Sequence, residues 1–233
     1  MNPELHYFSI GKHQRAWHVH KDLLCHYSPY FRAALTGEFL ESTKDETTLP
    51  IEFIKVIDEV IDWLYTRKLQ PLPHFTGDLN QHKPVYRASI LRITNLYIFG
   101  DSYEFTLLRD AAISKFHKLH CSWQPHIQDR PFFIASNPEV VSRAFERLPG
   151  KSLFCQYLVD AWAHVIAIMH SFQLSGEHAN DREQAIACVL QDLPPQFLAR
   201  LIAKNVENER GGSRYSLERF WTDATLSTYV EHI

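Results

Sequence analysis

The sequence of 233 residues is 45% apolar, 13% aromatic and 22% charged with only 8 glycines, a balance that supports a helix-rich core and argues against global disorder. Its formal charge is −3 with acids and bases interleaved, so no basic stripe offers itself to phosphates and nucleic acid is a poor candidate partner. The four cysteines, Cys25, Cys121, Cys155 and Cys188, lie far apart inside apolar or helical patterns, as buried thiols do in a reducing compartment.

The opening MNPELHYFSIG has neither a basic start nor a long apolar run, and no stretch approaches the roughly 20 apolar residues of a membrane span. The expectation is a soluble intracellular protein, cytoplasmic or nuclear. Leu5, Tyr7 and Ser9-Ile10 suit a short strand, polar Gly11 to Arg15 a hairpin turn, and Ala16 to Val19 a second strand. Alternation there places Trp17 and Val19 on one face and His18 and His20 on the other. Lys21 and Asp22 open a helix carrying Leu23, Leu24 and Tyr27 on one face, which Ser28-Pro29 stops. A short helical turn follows from Tyr30 to Leu35, with Gly37 as its cap, then a charged loop from Glu41 to Glu46 and a brief strand over Thr47 to Leu49.

From Glu52 the period changes to that of an amphipathic helix ending near Tyr65-Thr66, with Phe53, Ile54, Ile57, Val60, Ile61 and Leu64 inward. Its acids, Asp58 and Asp62 among them, read as a solvated face. The stretch from Leu69 to Pro84 is rich in proline and polar residues and marks a loop insertion around 69–84. Helical patterns follow over Val85 to Phe99, with Leu91, Leu96, Ile98 and Phe99 inward, and over Thr106 to Leu119, with Leu107, Leu108, Ala111, Ala112 and Phe116 inward. Gly100 to Glu104 permits a turn between them. After a seam between Ser122 and Pro131, Asn137-Pro138-Glu139 starts another helix by supplying an N-cap, a first-turn proline and a first-turn acid. Further helices are expected over Leu153 to His170, Asp181 to Leu190, Gln196 to Asn208 and Tyr215 to Val230, with Gly211-Gly212 between the last two.

Two histidine clusters raise metal chemistry. His18, His20, Cys25 and His26 supply ligand types for zinc, but no CxxC pair or HExxH helix forces convergence on one point. Structural or surface roles are the simpler reading. His117, His120 and Cys121 share a helix face at i, i+3 and i+4, with His126 beyond. Their HxxHC string resembles a motif of fungal peptide-modifying oxidases whose histidines are thought to hold a metal; that family carries two such motifs and a membrane segment, and this chain shows one motif. The sequence contains no G-x-S-x-G elbow, GxGxxG turn or GxxxxGK[ST] loop. No catalytic residue, cofactor or metal is assigned.

The order of features carries more weight. Val19-His20-Lys21, Leu23-Leu24, Ser28-Pro29-Tyr30-Phe31, Phe39, Trp63-Leu64-Tyr65, the run LYIFGDSYEF and the run LLRDAAI resemble, in sequence order, the BTB/POZ domain, and especially divergent BTB proteins of filamentous fungi. The resemblance covers about residues 5 to 120. It implies an α+β fold, a small sheet packed against a helical cluster over residues 1–121, followed by an all-helical C-terminal extension over 122–233. It also implies a non-enzymatic protein-protein interaction module and homo- or hetero-oligomers. For some members the partner is cullin-3, bound as a ubiquitin-ligase adaptor. A cullin contact would fall around the third helix, the following loop and the fifth helix, with Glu59, Asp62, Tyr65, Asp101, Ser102 and Tyr103 as the candidate interface. The chain begins almost at the first core strand, so the exchanged N-terminal strand of BTB transcription-factor dimers is not expected. The alternatives are a structural self-association module without cullin contact and a histidine-dependent metal oxidase.

Overall fold

Strand β1 (Leu5–Ile10) runs antiparallel to β2 (His13–His20) and parallel to β3 (Glu46–Leu49), giving a sheet of order β2-β1-β3. The computed structural model describes residues 5–10, 13–36, 46–73, 79–122, 137–172, 190–210 and 226–231. Phe8 lies opposite Trp17 and His6 opposite Val19. Strand alternation therefore buries these four and turns Leu5, Tyr7 and His18 outward. His6 tolerates burial because its Nε2 meets Thr47 Oγ1 on β3 at 2.8 Å.

Helix α1 (Lys21–Tyr27) follows β2 without a break, and α2 (Pro29–Thr36) follows after Ser28 alone. Ser28 does three things at this junction. Its N–H bonds Leu24 O at 2.9 Å and closes α1. Its Oγ accepts the Phe31 N–H at 3.0 Å, capping α2, and donates to Tyr103 O at 2.6 Å. The Ser-Pro stop seen in the sequence is thus a buried bolt between the first helices and a turn 75 residues later. Gly37, Phe39 and the loop from Glu41 to Asp45 lie outside the described residues.

The apolar period beginning at Glu52 divides in two. Ile51–Lys55 is a 3-10 turn, and α3 (Ile57–Thr66) starts beyond Val56, whose φ of −121° and ψ of −15° are not helical. Helix α3 ends at Arg67, which has a left-handed φ of 60° and donates its N–H to Trp63 O at 2.8 Å. Its guanidinium lies 3.7 Å from the Trp63 ring centroid and 4.2 Å from that of Tyr27, offsetting the backbone cost by cation-π contact.

Helix α4 (Leu79–Ser102) begins six residues before the expected Val85, with Pro84 inside it. The proline lacks an N–H and, sixth in the helix, forgoes one bond of the ladder in the second turn; the helix continues across it, so a reading that stops at breakers places the start too late. Helix α5 (Thr106–Ser122) buries Leu108, Ala112, Ile113, Phe116 and Leu119, whereas Leu107, expected inward, is 42% exposed. Helices α6 (Pro138–Arg147), α7 (Leu153–Phe172) and α8 (Pro195–Arg210) follow among the described residues. Of the helix expected over Tyr215 to Val230, residues 215–225 lie outside the described residues, while Ser227–Tyr229 is a 3-10 turn and Val230 is extended at φ −104°, ψ 131°. The expected helix over Asp181 to Leu190 falls almost wholly outside the described residues, as do most of the Ser122 to Pro131 seam and Gly211-Gly212.

One contiguous set of buried side chains runs from Phe8 in the sheet to Tyr229 near the end. Helices α4 and α5 are its middle. Tyr97 stacks on Phe154 of α7 at 4.8 Å, Phe116 meets the same ring edge-on at 4.9 Å, Arg143 of α6 bonds Asn95, and Arg147 pairs with Glu52. The architecture is α+β: a three-stranded sheet on a cluster of helices, continued by helices packed on α4 and α5.

Candidate protein-interaction surface

Amphipathic α3 buries Ile57, Val60, Trp63 and Leu64, which turns Asp58, Asp62 and Tyr65 outward one helical turn apart. Asp58 is not merely solvated: its Oδ1 accepts the Trp17 indole N–H at 2.6 Å, tying α3 to the edge strand β2. Tyr65 is 47% exposed, yet its hydroxyl is fixed, accepting the His20 N–H at 3.2 Å and lying 2.6 Å from His20 Nδ1. The ring therefore faces solvent in a set orientation, which lowers the entropy lost when a partner covers it. Asp62 is exposed beside it.

Glu59 is different. It is 2% exposed, turned inward on α3, and its carboxylate pairs with Arg92 of α4 while Oε1 accepts the Gln70 N–H at 2.9 Å. Lys115 of α5 holds the same loop, donating to Leu69 O at 3.0 Å. Burial lowers the Lys115 pKa, and Glu59 opposes that shift. Glu59 and Lys115 thus fix the segment that leaves α3, and neither carboxylate oxygen of Glu59 presents itself to a partner.

The second group sits where α4 turns into α5. Phe105 N–H bonds Gly100 O at 2.7 Å, and Glu104 takes a left-handed φ of 55° to make the reversal. Asp101 is half-buried and bound through Oδ1 to Arg109 at 2.9 Å; Ser102 is exposed. Tyr103 points inward, 9% exposed, stacked on Phe31 at 5.4 Å and beside Phe99 at 4.7 Å. Burial first, with Tyr30 adding to it, pushes its phenol up to about 12. Core side chains lie between the two groups, where Trp63 meets Phe105 edge-on at 6.4 Å. Of the six expected interface residues, Asp62, Tyr65 and Ser102 face outward, Asp101 is partly covered, and Glu59 and Tyr103 are buried beneath the surface.

Both histidine clusters have structural partners. His18 lies edge-on to Tyr7 at 4.6 Å, His20 binds Tyr65, and His26 meets Tyr27 at 4.5 Å. Cys25 Sγ lies 3.8 Å from Phe31 O, and burial raises its thiol pKa. His117 and His120 are 1% and 7% exposed, and the Nδ1 of each lies 3.2 Å from the same Tyr157 hydroxyl. Burial, with His117 adding to it, pulls His120 down to about 3, so it is neutral at ordinary pH. Among the described residues no three His, Cys, Asp or Glu side chains converge on a metal position. The Cys121 side chain and His126 are outside the described residues.

These features acquire a family context. Residues 7–97 match the family model of the BTB/POZ domain. The match takes in the sheet, α1 to α3 and most of α4, and stops short of α5 and the helices beyond it. The BTB/POZ domain is generally a protein-protein interaction module, and the three-stranded sheet with its helical cluster is consistent with the BTB α+β fold. A search of curated proteins returns no match. No helix among the described residues is long and apolar enough to cross a membrane. Sequence reasoning marked Ser28-Pro29 as a break and His20 as part of the strand-to-helix junction, but not the bonds they make to Tyr103 and Tyr65, and it gave Arg67 no role.

Proposed function

We propose that this chain is a non-enzymatic adaptor that binds a protein partner through the outer face of α3 and the α4–α5 corner, and that the partner is cullin-3. The observation that carries the reading is the fixed, half-exposed Tyr65 beside Asp62, on a helix within the residues that match the BTB/POZ model. Such a pair supplies a rigid aromatic anchor with an acid to set orientation. Asp101 and Ser102 lie at the rim, while Glu59 and Tyr103 act from beneath, holding the loop after α3 and the α4–α5 turn. Residues 1–121 are the BTB-like unit and 122–233 the helical extension that shares its core. The test is calorimetric titration with the N-terminal helical region of cullin-3. Binding at about micromolar Kd is expected, weakened at least about tenfold by Tyr65→Ala. No binding at about 100 µM removes cullin-3 as the partner and leaves the interaction module.

Self-association without cullin contact is the second reading, favoured by the outward Leu5 and Tyr7 on the sheet. The metal-oxidase reading is disfavoured because His117 and His120 meet on a tyrosine hydroxyl inside the packed seam. Metal analysis of the purified protein tests it: stoichiometric metal lost in a His117→Ala variant would restore that reading.

A further inference from the structure

The exposed Tyr65 ring ends in a hydroxyl whose hydrogen-bonding capacity is mostly taken by one residue. Its Oη accepts the His20 backbone N–H at 3.2 Å and lies 2.6 Å from His20 Nδ1, and the two rings meet edge-on at 5.6 Å. A phenol oxygen carries one hydrogen and two acceptor positions. The backbone N–H fills one acceptor position whatever the pH. When the imidazole is neutral with its hydrogen on Nε2, Nδ1 takes the phenol hydrogen, and the hydroxyl keeps one acceptor position for a partner. When the imidazole is protonated, Nδ1 becomes a donor. Both acceptor positions are then filled, the phenol hydrogen turns outward, and the hydroxyl offers a donor instead.

The neighbours decide what the neutral state suits. Asp62, one turn back on the same exposed face, has a carboxylate without an ion-pair or hydrogen-bond partner among the described residues. Asp58 is already engaged by the Trp17 indole, and the Arg67 guanidinium lies over the Trp63 and Tyr27 rings. With neutral His20, Tyr65 and Asp62 therefore both present acceptors. Their complement is a cationic donor, the guanidinium or ammonium of a basic side chain, lying against the Tyr65 ring. With His20 protonated, the same place presents a donor and a positive charge, which repel that side chain. The other charged or titratable groups next to His20 are Lys21 and Asp22 at the start of α1 and His18 on the same face of β2; its pairing partner on β1 is Leu5.

We infer that His20 is a positioning residue that holds the Tyr65 hydroxyl as an acceptor, so that the outer face of α3 selects a basic side chain of its partner and releases it when His20 gains a proton. Histidine is the side chain suited to this, since its charge ordinarily changes between about pH 5 and 8. The inference rests on α3 being the docking face and is independent of which protein docks there.

The test is nuclear magnetic resonance on the full chain, labelled at its histidine nitrogens and tyrosine rings. In its neutral form His20, assigned by its loss in His20→Gln, should carry its hydrogen on Nε2; a neutral form with the hydrogen on Nδ1 overturns the inference without any variant having to fold. The probe for the face is N-acetylarginine amide, followed on the Tyr65 ring resonances, with uncharged N-acetylcitrulline amide as the control. The arginine probe should give saturable shifts at about pH 8, with a Kd on the order of 10 mM, and bind at least about threefold more weakly at about pH 6. The citrulline probe should give none. His20→Gln should abolish the pH dependence and His18→Gln should keep it. No saturable shift with the arginine probe, an equal response to both probes, or pH dependence that survives in His20→Gln overturns the inference. Failure of cullin-3 to bind in the calorimetric titration changes none of these outcomes, so the two readings fail separately.

Discussion

Phe154 is the side chain through which the cooperativity of the whole chain can be tested. It is fully buried at the start of α7, stacked on Tyr97 of α4 at 4.8 Å and edge-on to Phe116 of α5 at 4.9 Å. Phe154→Ala removes the ring from a position where the neighbours belong to two rigid helices and cannot collapse into the space, so the upper part of the usual range applies, about 4 kcal/mol. Against a total stability of about 5–15 kcal/mol this is a large share. With a urea slope near 3 kcal/mol/M it moves the unfolding midpoint by roughly 1.3 M. Because one buried cluster joins sheet, α4, α5 and α7, the loss should reach α3 as well. Hydrogen exchange read by mass spectrometry on peptides from α3 (57–66) and α7 (153–172) is the assay, and both should lose protection by the same free energy. Unchanged protection in α3 with loss in α7 would refute the reasoning and make the α5–α7 contact a boundary between separately folding units.

Further outcomes follow from single side chains. His120 titrates near 3 in the folded chain and near 6.5 unfolded, so below about pH 6.5 the unfolded state takes the extra proton and stability falls, by about 2 kcal/mol at pH 5. Urea midpoints at pH 7 and pH 5 should therefore diverge in the native chain and less in His120→Gln; equal divergence would place the acid sensitivity elsewhere. Ser28→Ala loses the α2 cap and the bond to Tyr103 O and should cost about 1–2 kcal/mol in thermal or urea unfolding, against nearly nothing for an exposed serine such as Ser102. Glu59→Gln leaves Arg92 without its charge partner and loosens the loop after α3, an expected loss of about 2 kcal/mol given that Arg92 is only partly buried. Asp62→Asn should stay within about 0.5 kcal/mol of the native chain, so equal effects of these two substitutions would contradict their different placements.

What was legible in the sequence was local. Alternation in WHVH separates buried Trp17 and Val19 from exposed His18, because strand geometry alone decides it. Ser28-Pro29 announces its break, and Asn137-Pro138 announces a helix start. Glu59 shows the limit. On the helical wheel it is one more polar residue among Asp58 and Asp62, and its burial becomes tolerable through Arg92, 33 residues later, and the Gln70 N–H. Tyr103 sits in a predicted turn, where aromatics can face either way; the Phe31, Phe53 and Phe99 rings that take it inward come from three separate elements. The start of α4 was obscured by Pro84, which usually breaks a helix but here sits in the second turn of one that continues across it.

Helix α5 lies beyond the residues that match the BTB/POZ model and packs on both sides. Toward α4 it is apolar, with buried Leu108, Ala112 and Ile113. Toward α7 it carries Phe116, His117 and His120, which meet Phe154 and Tyr157. A neutral imidazole can be buried if its nitrogens find partners, whereas a lysine there would need a buried counter-charge. Histidine at these two positions therefore fits being covered by α7. Without that cover Phe116 and both imidazoles would lie open, and the outer face of α5 would be an apolar patch of the kind that seeks a partner. The extension supplies the partner within the chain. Tyr65 and Asp62 on α3, well away in sequence from the covered seam, face outward within the residues that match the BTB/POZ model.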